Sequence, residues 1–200
     1  MSRTGVRVRP AEAADALELA RIVRNFSSLT HVGTPQATHE SSLEHLAERI
    51  GELVDDPARS VLVAADDNLF AKDGGTLVGV LVARPDEIGA LDLTPAMYVS
   101  HLIVTKDARR RGVGRALLAI AVQVAEERGF DRMVATAASG SREANRYFAR
   151  LGFAPLVVQR VASTATLRRS LGISDAPSRL AVLRRSRARS MSSGLPRLRA

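Results

Sequence analysis

The sequence predicts a mixed α/β (α+β) domain, a sheet of parallel and antiparallel strands flanked by helices, followed by a basic C-terminal tail. Three observations lead there. Short β-branched runs alternate with stretches in which apolar residues recur at a 3.6-residue period. Two of those runs are separated by a segment containing Lys72-Asp73-Gly74-Gly75, which is hairpin chemistry and makes them antiparallel neighbours, whereas later runs are separated by helices, as parallel crossovers require. The net charge of +8 is also confined to one end: nine arginines lie in 166–200 against the single Asp175, so the first 165 residues are charge-balanced. A domain over 1–165 and an Arg-rich extension over 166–200, flexible or partly helical, follow from that division.

Taken in order, Val6-Arg7-Val8-Arg9 alternates as a short strand. Pro10 then opens a helix whose inward stripe is Ala13, Leu17, Ala20 and Val23/Arg24. A polar segment containing Gly33 and Pro35 precedes a second helix with Leu43, Leu46, Ile50 and Leu53/Val54 on one face. The hairpin strands are 60–65 and 77–82, and 97–104 is the next strand. Residues 112–128 read as a helix burying Leu117, Leu118, Val122 and Ala125, stopped by Gly129. A strand at 132–136, a helix at 141–151 with Ala144, Phe148 and Leu151 inward, and a final strand at 156–162 complete the order β-α-α-β-β-β-α-β-α-β. In the tail, a short helix is expected at 178–187.

Composition excludes several classes of function. No apolar run reaches the roughly 18 residues of a membrane span, and the first residues lack a secretory apolar core, so the expected compartment is the cytoplasm with no membrane contact. With no cysteine, thiolate metal sites and cysteine nucleophiles are removed. His31, His39 and His45 have no carboxylate at a zinc-ligand spacing, so no metal is expected; they read as surface residues, with His31 or His39 near an acceptor as the sharper alternative. The tail arginines would attract nucleic acid or an acidic partner in a salt-dependent way. No aromatic interleaves them, so base stacking is not indicated and nucleic-acid contact is not favoured.

The chemistry concentrates in one stretch. Strand residues Leu102, Ile103 and Val104 lead into a basic loop that ends in Arg109-Arg110-Arg111, and the next helix begins with Gly112-Val113-Gly114-Arg115. A helix start offers N–H groups without intrahelical partners and the positive end of a dipole, a ready cradle for a diphosphate. Gly112 and Gly114 allow backbone to approach phosphate oxygens, and the four arginines supply charge. A dinucleotide fingerprint would need a third glycine where Leu117 stands, and a nucleotide P-loop would need Gly-Lys-Ser/Thr, which is missing.

The pattern Arg109-x-x-Gly112-x-Gly114 after Leu102-x-Val104, with Ala144-x-x-Tyr147-Phe148-x-x-x-Gly152-Phe153 downstream, closely resembles the acyl-CoA site of the GNAT superfamily of N-acyltransferases. The order of elements is similar as well, so the resemblance spans about residues 6–162 and implies a GNAT-like fold. It implies that Leu102, Ile103 and Val104 hold pantetheine as an added strand, and that amides from Arg110 to Arg115 bind the pyrophosphate of acetyl-CoA. It further implies an acetyl-CoA-dependent N-acetyltransferase in which a primary amine attacks the thioester directly; dimers are common in the superfamily. The alternative is a non-catalytic acyl-CoA sensor or partner module whose tail contacts nucleic acid or protein.

Two positions depart from the resembled pattern. The thiolate-protonating tyrosine, four residues before the glycine of Gly-Phe, is Phe148 here, and Tyr147 beside it is turned by about 100° on a helix. Where many members have an asparagine that touches the cofactor, this chain has Ser141. Tyr147 remains a candidate acid. Tyr98 and Ser100 share one strand face and are candidates for substrate contact, and alternation puts His101, a candidate base, on the opposite face.

Overall fold

The computed structural model describes residues 5–27, 42–66, 76–87, 94–137, 140–158, 160 and 162–173. The chain divides into two units, Met1–Val157 and Val158–Ala200. The first holds a five-stranded sheet in the order of the sequence: β1 (Val6–Pro10), β2 (Ser60–Asp66), β3 (Thr76–Glu87), β4 (Pro95–Val104) and β5 (Met133–Ala135). The first three pairings are antiparallel and β4–β5 is parallel. That parallel pair is joined through a helix, α3 (Val113–Glu127), which carries the chain back across the sheet. The other helices are α1 (Ala16–Ser27), α2 (Leu43–Asp55) and α4 (Arg142–Arg150); α5 (Thr164–Ser170) belongs to the second unit and straddles the 165/166 junction. The segment 178–187 and the turn 72–75 lie outside the described residues.

Each sheet face buries its own core. On one side Leu19, Ala20 and Ile22 of α1 and Ile50 of α2 meet Val61, Val63, Leu77, Val80 and Ile103. On the other, Val113, Leu117, Leu118, Ala121 and Ala125 of α3 and Phe148 of α4 meet Leu62, Val78, Leu81, Met97 and Val99. Each fully buried aliphatic side chain contributes about 1.5–3 kcal/mol, so the sheet and its two helical layers are mutually dependent.

Several sequence expectations are corrected by this packing. Pro10 ends β1 instead of opening a helix, and Leu17 is 45% exposed. A 3-10 turn at Ala13–Asp15, pinned by Arg9 Nη1 on Asp15 Oδ2 at 2.6 Å, winds more tightly than an α-helix and rotates α1 so that Leu19, Ala20 and Ile22 face inward. Val122 is 41% exposed because Ala121, one residue and about 100° away, occupies the inward stripe of α3. Leu151 is outside α4; after Gly152, at φ 91°, Phe153 packs edge-on against Phe148 at 5.3 Å in its place. The strand expected at 156–162 is not seen among the described residues. Leu156, Val157 and Val158 are consecutive and exposed, with no strand alternation and no ladder partner.

Two irregularities in the ladders decide where the functional residues point. Ala64 pairs with Gly79 and Ala65 with Leu77, so Val78 is an extra residue in β3, and Val78 and Gly79 both face α3. Val82 pairs with His101 and Ala83 with Val99, so Ser100 is an extra residue in β4. Met97 and Val99 before it, and Leu102 and Val104 after it, all pack on the α3 side. Ser100 and His101 therefore lie together on the α1 side, with His101 Nδ1 at 3.0 Å from Ser100 Oγ. The expectation that His101 opposes Ser100 assumed an unbroken strand, and the bulge overturns it.

Candidate functional site

The segment from β4 to α3 is fixed at both ends. Thr105 N–H donates to Val78 C=O at 3.0 Å, and Ala108 is buried. At the far end Val113 and Leu117 seat on Gly79, where a Cβ would come within 3.1 Å of Ile103 O and Val113 Cγ1. Between these anchors Arg110 (φ 60°) and Gly112 (φ 84°) take the left-handed conformation, and Gly112 is the N-cap with no side-chain hydrogen bond. The first α3 hydrogen bond runs from Ala116 N–H to Gly112 C=O, so the N–H groups of Val113, Gly114 and Arg115 precede the ladder. Helices α1, α2 and α4 begin with Glu18, Glu44 and Glu143, whereas α3 has no acid in its first turn and places Arg115 there. Positive charge at the positive end of a dipole is locally unfavourable, and an anion relieves it.

The arginines are not equivalent. Arg111 Nη2 is 2.8 Å from Oδ2 of Asp66, which is fully buried at the end of β2. Arg109 Nε donates to Val104 C=O at 3.4 Å and its Nη1 lies 3.9 Å from Glu143. Among the described residues, the exposed side chains of Arg110 and Arg115 make no hydrogen bond or ion pair.

Beside the helix start, the sheet is open. Pairing of β4 with β5 covers Met97, Tyr98 and Val99, and Thr136 N–H to Val99 C=O closes it. Past that point β4 continues through Leu102, Ile103 and Val104 with β3 on one edge and no described strand on the other. The Ile103 side chain is buried toward α1, and those of Leu102 and Val104 are half-buried toward α3; by the antiparallel alternation the Ile103 backbone pairs with Val80 of β3, and Leu102 and Val104 present theirs at the open edge. An extended polar chain can add there as a strand would. A cavity of about 730 Å³ opens between α1 and the end of β4, bordered by Arg21, Asn25, Val104, Thr105, Lys106 and Arg109.

On α4, Phe148 is in the core and Tyr147 turns toward α3. A Cβ on Gly114 would lie 3.2 Å from Tyr147 Oη and 3.7 Å from Val104 Cγ2. That hydroxyl is buried with no hydrogen-bond partner. Burial raises the Tyr147 pKa above its usual value, offset in part by Arg115, so the phenol stays protonated at neutral pH. Ser141 is the N-cap of α4, its Oγ accepting from Ala144 N–H at 3.2 Å, and its own proton remains available to donate.

A second polar group lies at the β4 bulge. Ser100 Oγ donates to Val82 C=O at 3.2 Å, so toward His101 it can only accept. That puts the imidazole proton on Nδ1 and leaves Nε2 as an acceptor. More than a third of His101 is open to solvent, yet desolvation by its neighbours lowers its pKa and favours the neutral ring. Tyr98 Oη is 2.6 Å from Thr136 Oγ1 across the β4–β5 pair, with the Arg84 guanidinium 5.3 Å from its ring centroid. Asp66, Gly79, Arg84 and Thr136 carried no local sequence signal, because each acts through a residue distant in the chain. His31 and His39 lie outside the described residues; His45 is exposed on α2 at 3.7 Å from Glu48. No cluster of metal-ligating side chains and no helix long and apolar enough to cross a membrane is found among the described residues.

Residues 27–153 match the model of the Acetyltransferase (GNAT) family. A search of curated proteins finds no match to the sequence. Solved structures share the fold. A transcriptional regulator from Bacillus halodurans C-125 superposes with a TM-score of 0.61 at 17% identity, over 79% of this chain and 99% of that one. The ribosomal-protein-alanine N-acetyltransferase of Brucella melitensis biovar Abortus 2308 gives 0.56 at 20% identity, over 79% and 98%. The aminoglycoside N-acetyltransferase AAC(6')-Iy, in complex with CoA, gives 0.60 at 14% identity, over 80% and 94%.

Proposed function

From the premise that this chain belongs to the GNAT acetyltransferase family, we propose that it transfers the acetyl group of acetyl-CoA to a primary amine by direct attack within a ternary complex. The observation that carries the reading is the buried, unpartnered Tyr147 hydroxyl standing at Gly114, where the unladdered N–H groups of α3 meet the open edge of β4. A Cβ at residue 114 would crowd that space, so the site fits a chain threaded between backbone and phenol.

In this reading the amides of Val113, Gly114 and Arg115 hold the diphosphate, with Arg110 and Arg115 adding charge and the Ser141 hydroxyl a further donor. The backbone of Leu102, Ile103 and Val104 aligns the pantetheine arm, which presents the thioester between Tyr147 and the bulge. His101 Nε2 takes the proton of the attacking amine, its ring held by Ser100, while Tyr98 lines the acceptor side. As the C–N bond forms and the C–S bond breaks, Tyr147 Oη donates its proton to the departing thiolate.

The experiment is a titration with acetyl-CoA and CoA followed by thiol release across a panel of primary amines. At about 100 times Kd the ligand adds roughly 2.7 kcal/mol, a rise in Tm of about 5–10 °C for a chain of this size. No rise with either ligand overturns the proposal, and binding without thiol release replaces it with the non-catalytic acyl-CoA module.

A further inference from the structure

Resting on the carrier-binding reading above, we infer that Asp66 is a positioning residue for the diphosphate turn: its ion pair with Arg111 ties that turn to the interior of the sheet and so aims the first N–H groups of α3. Asp66 is completely buried, in register with Val6 of β1 and Thr76 of β3, on a strand separated from β4 by β3. A carboxylate in that position must be compensated by charge and hydrogen bonds, and Arg111, 45 residues later, brings a guanidinium to within 2.8 Å.

The turn needs such a tie. Arg111 lies between two left-handed residues, Arg110 and Gly112. Glycine takes that conformation freely, but at Arg110 it persists only where the surroundings over-determine it. The backbone hydrogen bonds stop at Arg109, whose N–H donates to Lys106 C=O at 3.2 Å, and resume at Gly112, whose C=O accepts from Ala116 N–H, and the α3 N-cap has no side chain to stiffen it. Among the described residues, Arg111 is the one member of the intervening turn whose side chain is held by a group of β2. Its charge is thus committed to the protein, and the diphosphate is held by the backbone that this pair orients.

The test compares CoA with pantetheine, which lacks the diphosphate, by calorimetric titration of the wild type, Asp66→Asn, Arg111→Gln and the double variant. Each single substitution is expected to weaken CoA about tenfold, the double no more than either single, and pantetheine binding to stay constant. With Asp66→Asn the KM for acetyl-CoA rises while kcat at saturation holds. CoA affinity unchanged in Asp66→Asn but lowered in Arg111→Gln makes Arg111 a direct phosphate ligand and overturns the inference. Equal losses for CoA and pantetheine make the pair merely structural and overturn it too. Should Asp66→Asn not fold, a crystal structure of the wild type with CoA decides: Arg111 still on Asp66 supports positioning, and a guanidinium swung onto the phosphates refutes it. Failure of the wild type to bind CoA sinks the carrier reading itself, a different result from any of these.

Discussion

Where β4 runs into α3 the protein offers main chain: Gly79 beneath the helix, Gly112 at its cap, Gly114 against Tyr147, and N–H groups that precede the ladder. A few residues earlier, at the Ser100 bulge, it offers side chains: His101 held by Ser100, and Tyr98 tied to Thr136 under Arg84. The first region relies on the absence of side chains and on backbone that cannot be removed by substitution. The second relies on an inserted residue that turns two neighbours to one face. A main-chain surface suits a ligand common to many proteins of one fold, and a side-chain surface suits one that differs among them.

If the two regions are independent, each can be broken without the other. The largest effect is expected from the glycines. In Gly112→Val/Gly114→Val a β-branched residue meets φ 84° and a second side chain meets the Tyr147 hydroxyl, so CoA affinity should fall by at least about 100-fold, with about 1–2 kcal/mol of stability lost from the left-handed position. Calorimetry and thermal unfolding check this. The His101 titration, followed by NMR in the same variant, should not move; a shift would join the two regions into one.

Tyr147→Phe probes the one side chain that stands at the first region. Turnover at saturating acetyl-CoA should drop by about 10²-fold, with CoA affinity retained. Because the lost hydroxyl is buried without a partner, Tm should hold or rise. Unchanged turnover would leave the thiolate proton to another group.

The smallest effect concerns pH at the bulge. The His101 pKa lies below the ordinary 6.5, so the acid limb of kcat/KM should have its midpoint below that value and vanish in His101→Gln. For stability, the unfolded chain binds the proton first as pH falls below about 6.5, while the folded ring stays neutral. Folding should therefore weaken from about pH 6.5 down to the folded-state pKa and weaken no further from this group below it. A Tm–pH curve for the wild type that matches His101→Gln throughout that window would contradict the assignment.

Much of the fold was legible because its signals are local. The antiparallel pairing of β2 with β3, the β-branched runs and the α2 stripe through Ile50 depend on neighbours in the chain, and the glycine spacing at Gly112 and Gly114 states a backbone requirement directly. What failed was phase. Leu17 and Val122 were placed inward on ideal helices, but the 3-10 turn before α1 and the narrow stripe of α3 rotated them out. The apolar run from Leu156 has the β-branched composition of a strand, but its described residues are all exposed, without alternation or a ladder partner.

By itself, then, the sequence determined the alternation of strands and helices, the confinement of the net charge to 166–200, and the glycine and arginine pattern at the start of α3, since each is written in adjacent residues or fixed spacings. Only the tertiary structure decided that Ser100 is the extra residue of β4, that His101 shares its face, that Tyr147 and not Phe148 reaches Gly114, and that Asp66 holds Arg111. The physical reason is that bulges, helix rotation and buried ion pairs are settled by which segments pack together, and a change of one residue in register redirects every side chain beyond it.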